Sequence, residues 1–261
     1  MKKITGMMMA GAIGLTMAMA SPVSADTLLG DYLKDKGVEV EISGAMDIYD
    51  KYIWRGFRLD GDTVMQPSVT IAAKGFEGGF WGSWDLSSND GLAGDETDGW
   101  IGYSGDFGFI MEDLAMIGYN FGHTWYGFPE AGTYSKEVYV GLSVDTLLSP
   151  SFTWYGDYAE EENGGANGNY FMFDISHSFT LNEQYGITLD LGEEFSINHE
   201  AFIVGEGGYW LTTVGLTVPL SDHVTASPTM GYSIPYGDLK KGSDGNQKEE
   251  FYGGISLAFS F

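Results

Sequence analysis

The chain has 261 residues, 39 of them glycine and none cysteine, and its 12 Lys+Arg against 37 Asp+Glu give a formal charge of −25. So acidic a chain lacks the basic footprint that phosphate recognition needs, which excludes a nucleic-acid partner, and without cysteine there is neither a disulfide framework nor a thiolate metal site. A hydrophobic content of 43 % excludes a disordered acidic tail.

Met1-Lys2-Lys3 gives a positive start, Met7 to Ala20 a short apolar run, and Ser21-Pro22-Val23-Ser24-Ala25 a small-residue ending. This is the pattern of a cleaved secretory signal over residues 1–25; the run is too short and too rich in Ala and Gly for a span of about 20 residues. Residues 26–37 form a periplasmic lead-in, where Leu28, Leu29, Tyr32 and Leu33 among Asp and Lys predict a short amphipathic helix.

From residue 38 to 261 the chain alternates with period two, which predicts strands. In 38–48 the even positions are apolar or Gly and the odd ones acidic or small. Val69, Ile71 and Ala73 oppose Ser68, Thr70 and Ala72; Val138, Val140, Leu142 and Val144 oppose Glu137, Tyr139, Gly141, Ser143 and Asp145. Phe171, Phe173 and Ile175 oppose Met172, Asp174 and Ser176; Val214, Leu216 and Val218 oppose Thr213, Gly215 and Thr217. Twelve such segments centre near residues 45, 70, 84, 101, 119, 141, 154, 175, 191, 214, 229 and 255.

Their connections alternate in length. Short ones fall at 74–79, 106–113, 147–150, 182–185 and 220–223; long polar ones fall at 55–65, 88–97, 128–134, 160–168, 198–208 and 237–248. The prediction is an all-β fold, an antiparallel up-and-down transmembrane β-barrel of about 12 strands with short periplasmic turns and longer extracellular loops. A soluble β-sandwich also alternates, but its polar faces would carry more Lys and Arg than this chain has. Tyr52, Trp54, Trp100, Tyr119, Trp125, Tyr126, Trp154, Tyr158, Tyr209 and Trp210 lie near strand ends, where interfacial girdles are expected. Phe251, Ile255, Leu257, Phe259 and Phe261 end the chain as an alternating apolar strand, like the terminal signal that barrel assembly machinery reads.

The segment Tyr49-Asp50-Lys51-Tyr52-Ile53-Trp54-Arg55-Gly56-Phe57 resembles the Y-x-W-R-G signature of the TorF family of porin-like outer-membrane barrels. Gln66-Pro67-Ser68-Val69, Gly79-Phe80-Trp81-Gly82-Ser83-Trp84 and Asp98-Gly99-Trp100-Ile101-Gly102-Tyr103 are similar to that family's early strands. The resemblance implies a channel-like barrel in a Gram-negative outer membrane and assigns no role to any residue.

Placing the acidic face inward makes Glu39, Glu41, Asp47, Asp85, Glu137, Asp145, Asp157, Asp174, Asp190 and Glu194 candidate lumen-lining selectivity residues, with Lys74 the only base beside them. A carboxylate-lined aqueous passage concentrates cations; the same acids could instead hydrate a filled interior. Trp54, Arg55 and Arg58 are candidates for a constriction, or for an aromatic-belt Trp whose cationic neighbours pair with lipid phosphates. Acidic loops at 60–62, 90–98 and 160–162 match no calcium-loop spacing and read as solvated surface, so no metal and no cofactor is expected. Adjacent strand residues such as His177 and Ser178 point to opposite faces and cannot pair directly, and no hydrolase or phosphate-loop motif is present. An enzyme is not expected.

The sequence therefore predicts an outer-membrane, porin-like narrow passive channel for ions or small polar solutes, cation-preferring. Its partners would be outer-membrane lipids and lipopolysaccharide, the assembly machinery, and small cations. The alternative is a non-conducting barrel serving as scaffold or adhesin through its acidic loops.

Overall fold

The structure is a computed structural model that describes residues 37–87, 95–241 and 246–261; the signal segment and the predicted lead-in helix lie outside them. Twelve antiparallel strands close into a barrel, and a separate two-stranded hairpin lies between the first two wall strands. The wall strands are β1 (Glu41–Tyr49), β4 (Val64–Ala73), β5 (Phe76–Asp85), β6 (Glu96–Asp106), β7 (Ile117–Phe128), β8 (Thr133–Val144), β9 (Ser151–Asp157), β10 (Asn169–Asn182), β11 (Ile187–His199), β12 (Glu206–Pro219), β13 (Val224–Gly237) and β14 (Glu250–Ser260). The hairpin is β2 (Tyr52–Trp54) and β3 (Phe57–Asp60).

Closure is made by β1, which pairs with β4 from Glu41↔Ala72 to Tyr49↔Val64 and with β14 from Ser43↔Ser260 to Tyr49↔Gly254. The wall is closed on itself, which is what allows a sheet to face hydrocarbon. Both chain ends of the barrel, Glu41 and Ser260, lie at the end bearing the short turns. Each predicted segment falls within one wall strand, with shifts in some centres and connections. β5 centres near residue 80 rather than 84, because the alternation already runs from Phe76, and β7 centres near 122 rather than 119. The connections expected at 128–134 and 198–208 shrink to 129–132 and 200–205, while the short one expected at 106–113 becomes 107–116.

The outward face is apolar. Ile71, Phe80, Ile101, Phe121, Val140, Phe173, Ile175, Met230 and Ile255 are all exposed, and they form a belt round the barrel. In water such a patch would be far larger than a soluble monomer tolerates; in a bilayer it is the lipid contact. No helix among the described residues is long and apolar enough to cross a membrane. Glu193, mid-strand on β11, does face outward, where it accepts a hydrogen bond from Thr212 Oγ1 at 2.8 Å.

The inward face has two zones. Towards the turn end it carries small and hydroxylic residues such as Ser43, Thr70, Gly141, Ser143, Thr217 and Ser256. Towards the loop end it carries large rings: Tyr49, Trp81, Tyr126, Tyr139, Tyr155, Tyr170, Tyr209 and Tyr252 are buried. This corrects two sequence expectations. Tyr52, Trp54, Trp100, Tyr126 and Tyr209 are not girdle residues but pack inside, whereas Trp125, Tyr158 and Trp210 are exposed on the outer wall. The inner face is also not uniformly small. Alternation separates the two faces, but it cannot say which is wet when neighbours such as Trp125 and Tyr126 are both aromatic.

A lumenal hairpin and its guanidinium cage

The connection from β1 to β4 does not extend away from the barrel; it folds back into it. Trp54 pairs with Phe57 across a two-residue turn made by Arg55 (φ 49°) and Gly56 (φ 80°). Two consecutive left-handed residues make the tight turn that suits the twist of a hairpin. Glycine adopts this conformation freely; a side chain does not, so Arg55 holds an unfavourable backbone state. A Cβ on Gly56 would also meet Leu239 Cδ2 at 2.8 Å and Tyr209 Cβ at 2.9 Å, so the tip is wedged against the wall.

The hairpin crosses the lumen. It starts from β1, and around the twelve-strand circuit the strand opposite β1 is β9. Arg55 reaches that opposite wall. Its Nη1 donates to Glu137 Oε1 at 2.6 Å and its Nη2 to Glu137 Oε2 at 2.9 Å, while Tyr126 Oη donates to the same Oε2 at 2.8 Å. The guanidinium carbon lies 4.3 Å from the ring centre of Tyr170, 4.4 Å from Tyr155 and 4.7 Å from Trp54. Side-chain exposures of 6 % for Arg55 and 1 % for Glu137 place this pair out of bulk water. A planar fork matched to both carboxylate oxygens and stacked on rings is the geometry that arginine, and not lysine, supplies.

Around this pair the loop end of the lumen is filled. Trp54 packs edge-on against Tyr126 and Phe202, and Tyr52 against Trp81. Trp100 also packs inward: a Cβ on Gly79 would lie 2.4 Å from its ring, so the glycine makes room for the indole. Ala201, Ile203 and Leu239, the last on the short helix α1 (Asp238–Lys241), are buried with these rings. Arg58 is exposed and serves the rim; its Nη1 donates to Glu250 Oε1 at 3.1 Å, and Lys51 Nζ donates to Glu250 Oε2 at 3.1 Å.

The candidate acids take different places. Glu41, Asp47, Asp85, Glu137, Asp157, Asp174, Asp190 and Glu194 stand on wall positions that face inward. Two do not. Glu39 precedes β1 and is exposed, and Asp145 follows β8 in an exposed turn, because the alternation in sequence runs on past the last wall hydrogen bond. Lys74 likewise lies in the β4–β5 turn. Asp157 Oδ1 accepts from the backbone N–H groups of Ala159, Ala166 and Asn167, and Oδ2 from Ser135, which makes this carboxylate the anchor of the 158–168 loop. Glu194 accepts from Tyr209 Oη, Asp174 from Ser151 Oγ at 3.0 Å, and Asp190 from Thr188 and Thr217 at 2.9 and 2.7 Å.

Sequence reasoning missed Glu77, Glu96, Asp98 and Glu250, which also face inward; Glu96 and Asp98 are buried beside Tyr52. The signal was available for Glu77, since Phe76, Gly78 and Phe80 alternate with Glu77, Gly79 and Trp81. The assembly-strand residues Phe251, Ile255, Leu257, Phe259 and Phe261 share the outward face of the last strand. At the rim, Asp60, Asp62 and Asp85 each bring one carboxylate oxygen within 4.8 Å of the others. Burial, and behind it the negative charges of Asp85, Asp95 and Asp62, raise the Asp60 carboxyl above its ordinary range despite a hydrogen bond from the Asp62 N–H. His177 is on the outer wall, with Nδ1 2.7 Å from the Leu147 carbonyl oxygen.

With this geometry in view, the chain is similar in fold to solved outer-membrane porins. It aligns with the KdgM porin at a TM-score of 0.53 and 12 % identity, covering 85 % of this chain and 99 % of that one. A second structure, the KdgM porin in complex with disordered oligogalacturonate, aligns at 0.54 with the same identity and coverage. At this identity the likeness is one of fold alone. No protein-family model matches the chain, and no curated protein matches it.

Proposed function

We propose that the protein is a narrow passive channel of a Gram-negative outer membrane, cation-preferring, for ions or small polar solutes. The reading keeps its short turns on the periplasmic side and the hairpin at the extracellular mouth. The observation that carries it is the sign of the lining. Among the described residues, every charged side chain that a wall strand turns inward is a carboxylate, while the one strand lysine, Lys136, faces outward over Tyr134. A low-dielectric wall carrying one sign of charge focuses the field on the passage and enriches the opposite ion.

Buried polar atoms without a protein partner add support. Tyr49 Oη, Trp81 Nε1, Trp100 Nε1 and Asp47 Oδ1 are among them, and all face inward. Groups of this kind require water or a polar solute, so the lining suits a wet interior better than a sealed apolar one. Oligogalacturonate, the ligand of one KdgM structure, is a polyanion; the carboxylate lining here argues for a different solute in spite of the similar barrel. The Y-x-W-R-G hairpin is read as the constriction, and membership of the TorF family remains part of this proposal. So does the absence of catalysis.

The test is a planar bilayer holding the purified mature protein under a KCl gradient. Discrete steps with a cation-selective reversal potential are expected. Anion selectivity refutes the role of the acidic wall. A folded barrel that gives no steps transfers the reading to a non-conducting scaffold, which the filled loop end would then explain.

A further inference from the structure

The cage around Arg55 has an unusual composition for a structural ion pair. Three of its members, Glu137, Tyr155 and Tyr170, come from three adjacent wall strands, and the fourth, Trp54, travels with the hairpin. The wall half of the cage therefore stands whether or not the hairpin is docked. Tyr126 Oη holds Glu137 Oε2 from the side, which fixes the carboxylate plane before any cation arrives. The two parallel bonds to Glu137 and the ring faces beside them match a flat, forked cation; a compact ammonium cannot make both bonds at once. The backbone points the same way. Asparagine or glycine would suit the left-handed position at φ 49°, and arginine suits it poorly, so the residue there is set by what its side chain meets.

We propose that this cage is a guanidinium-recognition site which the protein occupies with its own Arg55, and that a guanidinium group is the class of cation able to take its place once Arg55 is removed. The inference rests on the channel reading for its physiological meaning, but the binding itself does not. In the native protein the tethered Arg55 competes at an effective concentration of the order of millimolar or more, so an added monovalent guanidinium compound gains the site only when Arg55 is absent.

The experiment uses the full mature barrel purified in detergent, with heat-modifiable gel migration confirming that each variant is folded. Arg55→Ala vacates the cage, and Arg55→Asn vacates it while favouring the left-handed turn; the second carries the measurement should the first not fold. The probe is N-ethylguanidinium, observed through its ethyl protons by saturation-transfer NMR, with N-ethylammonium as control. The vacated variants are expected to give at least a fivefold larger transfer signal than the native protein. That gain should be lost in Arg55→Asn/Glu137→Ala and be absent for N-ethylammonium. An equal signal in native and vacated protein, or an equal response to N-ethylammonium, overturns the proposal. The same variants in bilayers separate the two readings. Currents without probe binding defeat the guanidinium site and leave the channel; binding without currents in native or variant protein defeats the channel and leaves the site.

Discussion

Glu137 is the acceptor that keeps the hairpin against the far wall, so its removal gives the sharpest test of the lumenal architecture. Glu137→Ala deletes the two charge-assisted bonds at 2.6 and 2.9 Å and the bond from Tyr126 Oη, and removes the carboxylate from a guanidinium that is 6 % exposed. Breaking a buried ion pair on one side costs about 3–5 kcal/mol. At about 1.36 kcal/mol per decade, the equilibrium between docked and undocked hairpin shifts by roughly 150- to 5,000-fold. Arg55 also lies in the field of Glu194, which offers it a second carboxylate and places the expectation at the lower end. Because the chain has no cysteine, a single Phe57→Cys reports on the hairpin alone. Phe57 is 9 % exposed beside Trp54 when docked, so a charged methanethiosulfonate reagent reaches it only after undocking. If closing is fast, the labelling rate follows the undocked population. Adding Glu137→Ala to Phe57→Cys should therefore raise the rate by about 150-fold. A change within threefold would refute the pair as the latch, and with it the view that the hairpin is held by this cage.

Four further outcomes follow from the same structure. Asp174→Asn with Glu194→Gln should move the reversal potential in a KCl gradient towards zero without closing the channel; an unchanged potential would show that these inward carboxylates do not set selectivity. Val140→Arg, on the exposed outer wall of β8, should destabilise the barrel in vesicles by about 2–4 kcal/mol, read from urea titration of folding; a loss under about 1 kcal/mol would contradict the lipid-facing assignment. Asp157→Ala should speed proteolysis of the 158–168 loop, since three backbone N–H groups lose their acceptor at once, whereas Asp157→Asn keeps one oxygen for them and should retain most of the protection. The hydrogen bonds from Tyr232 Oη and then Lys240 Nζ hold the exposed Glu249 carboxyl below the usual glutamate range. That stabilisation is complete above the ordinary value of about 4.3 and is lost as pH falls through the depressed one. Tyr232→Phe should move the Glu249 carboxyl midpoint upward in a carbon-13 titration, and an unmoved midpoint would deny the contact.

The sequence by itself determined the wall. Alternation is local, because successive side chains of a strand point to opposite faces. Val138, Val140 and Leu142 against Glu137, Tyr139 and Gly141 therefore reveal a strand and its two surfaces without knowledge of any neighbour. Twelve such segments, with short turns alternating with long loops, leave little besides a closed up-and-down barrel. The inward placement of Asp47, Glu137, Asp174 and Glu194 was legible on the same ground. What alternation cannot carry is any contact between distant segments. A Trp-Arg pair at a strand end fits a lipid interface as well as the lumen, and only Glu137, 82 residues from Arg55, places the pair inside the barrel. Asp157 looked like one more lining acid until its loop folded onto it. The aromatic filling of the loop end was hidden too, since Tyr52, Trp54 and Tyr126 have the composition of a girdle and acquire their place only when the hairpin crosses the lumen. Strand and face are properties of neighbouring residues, whereas the cage is assembled by barrel closure, which brings β1 and the strands opposite it within reach of one folded loop.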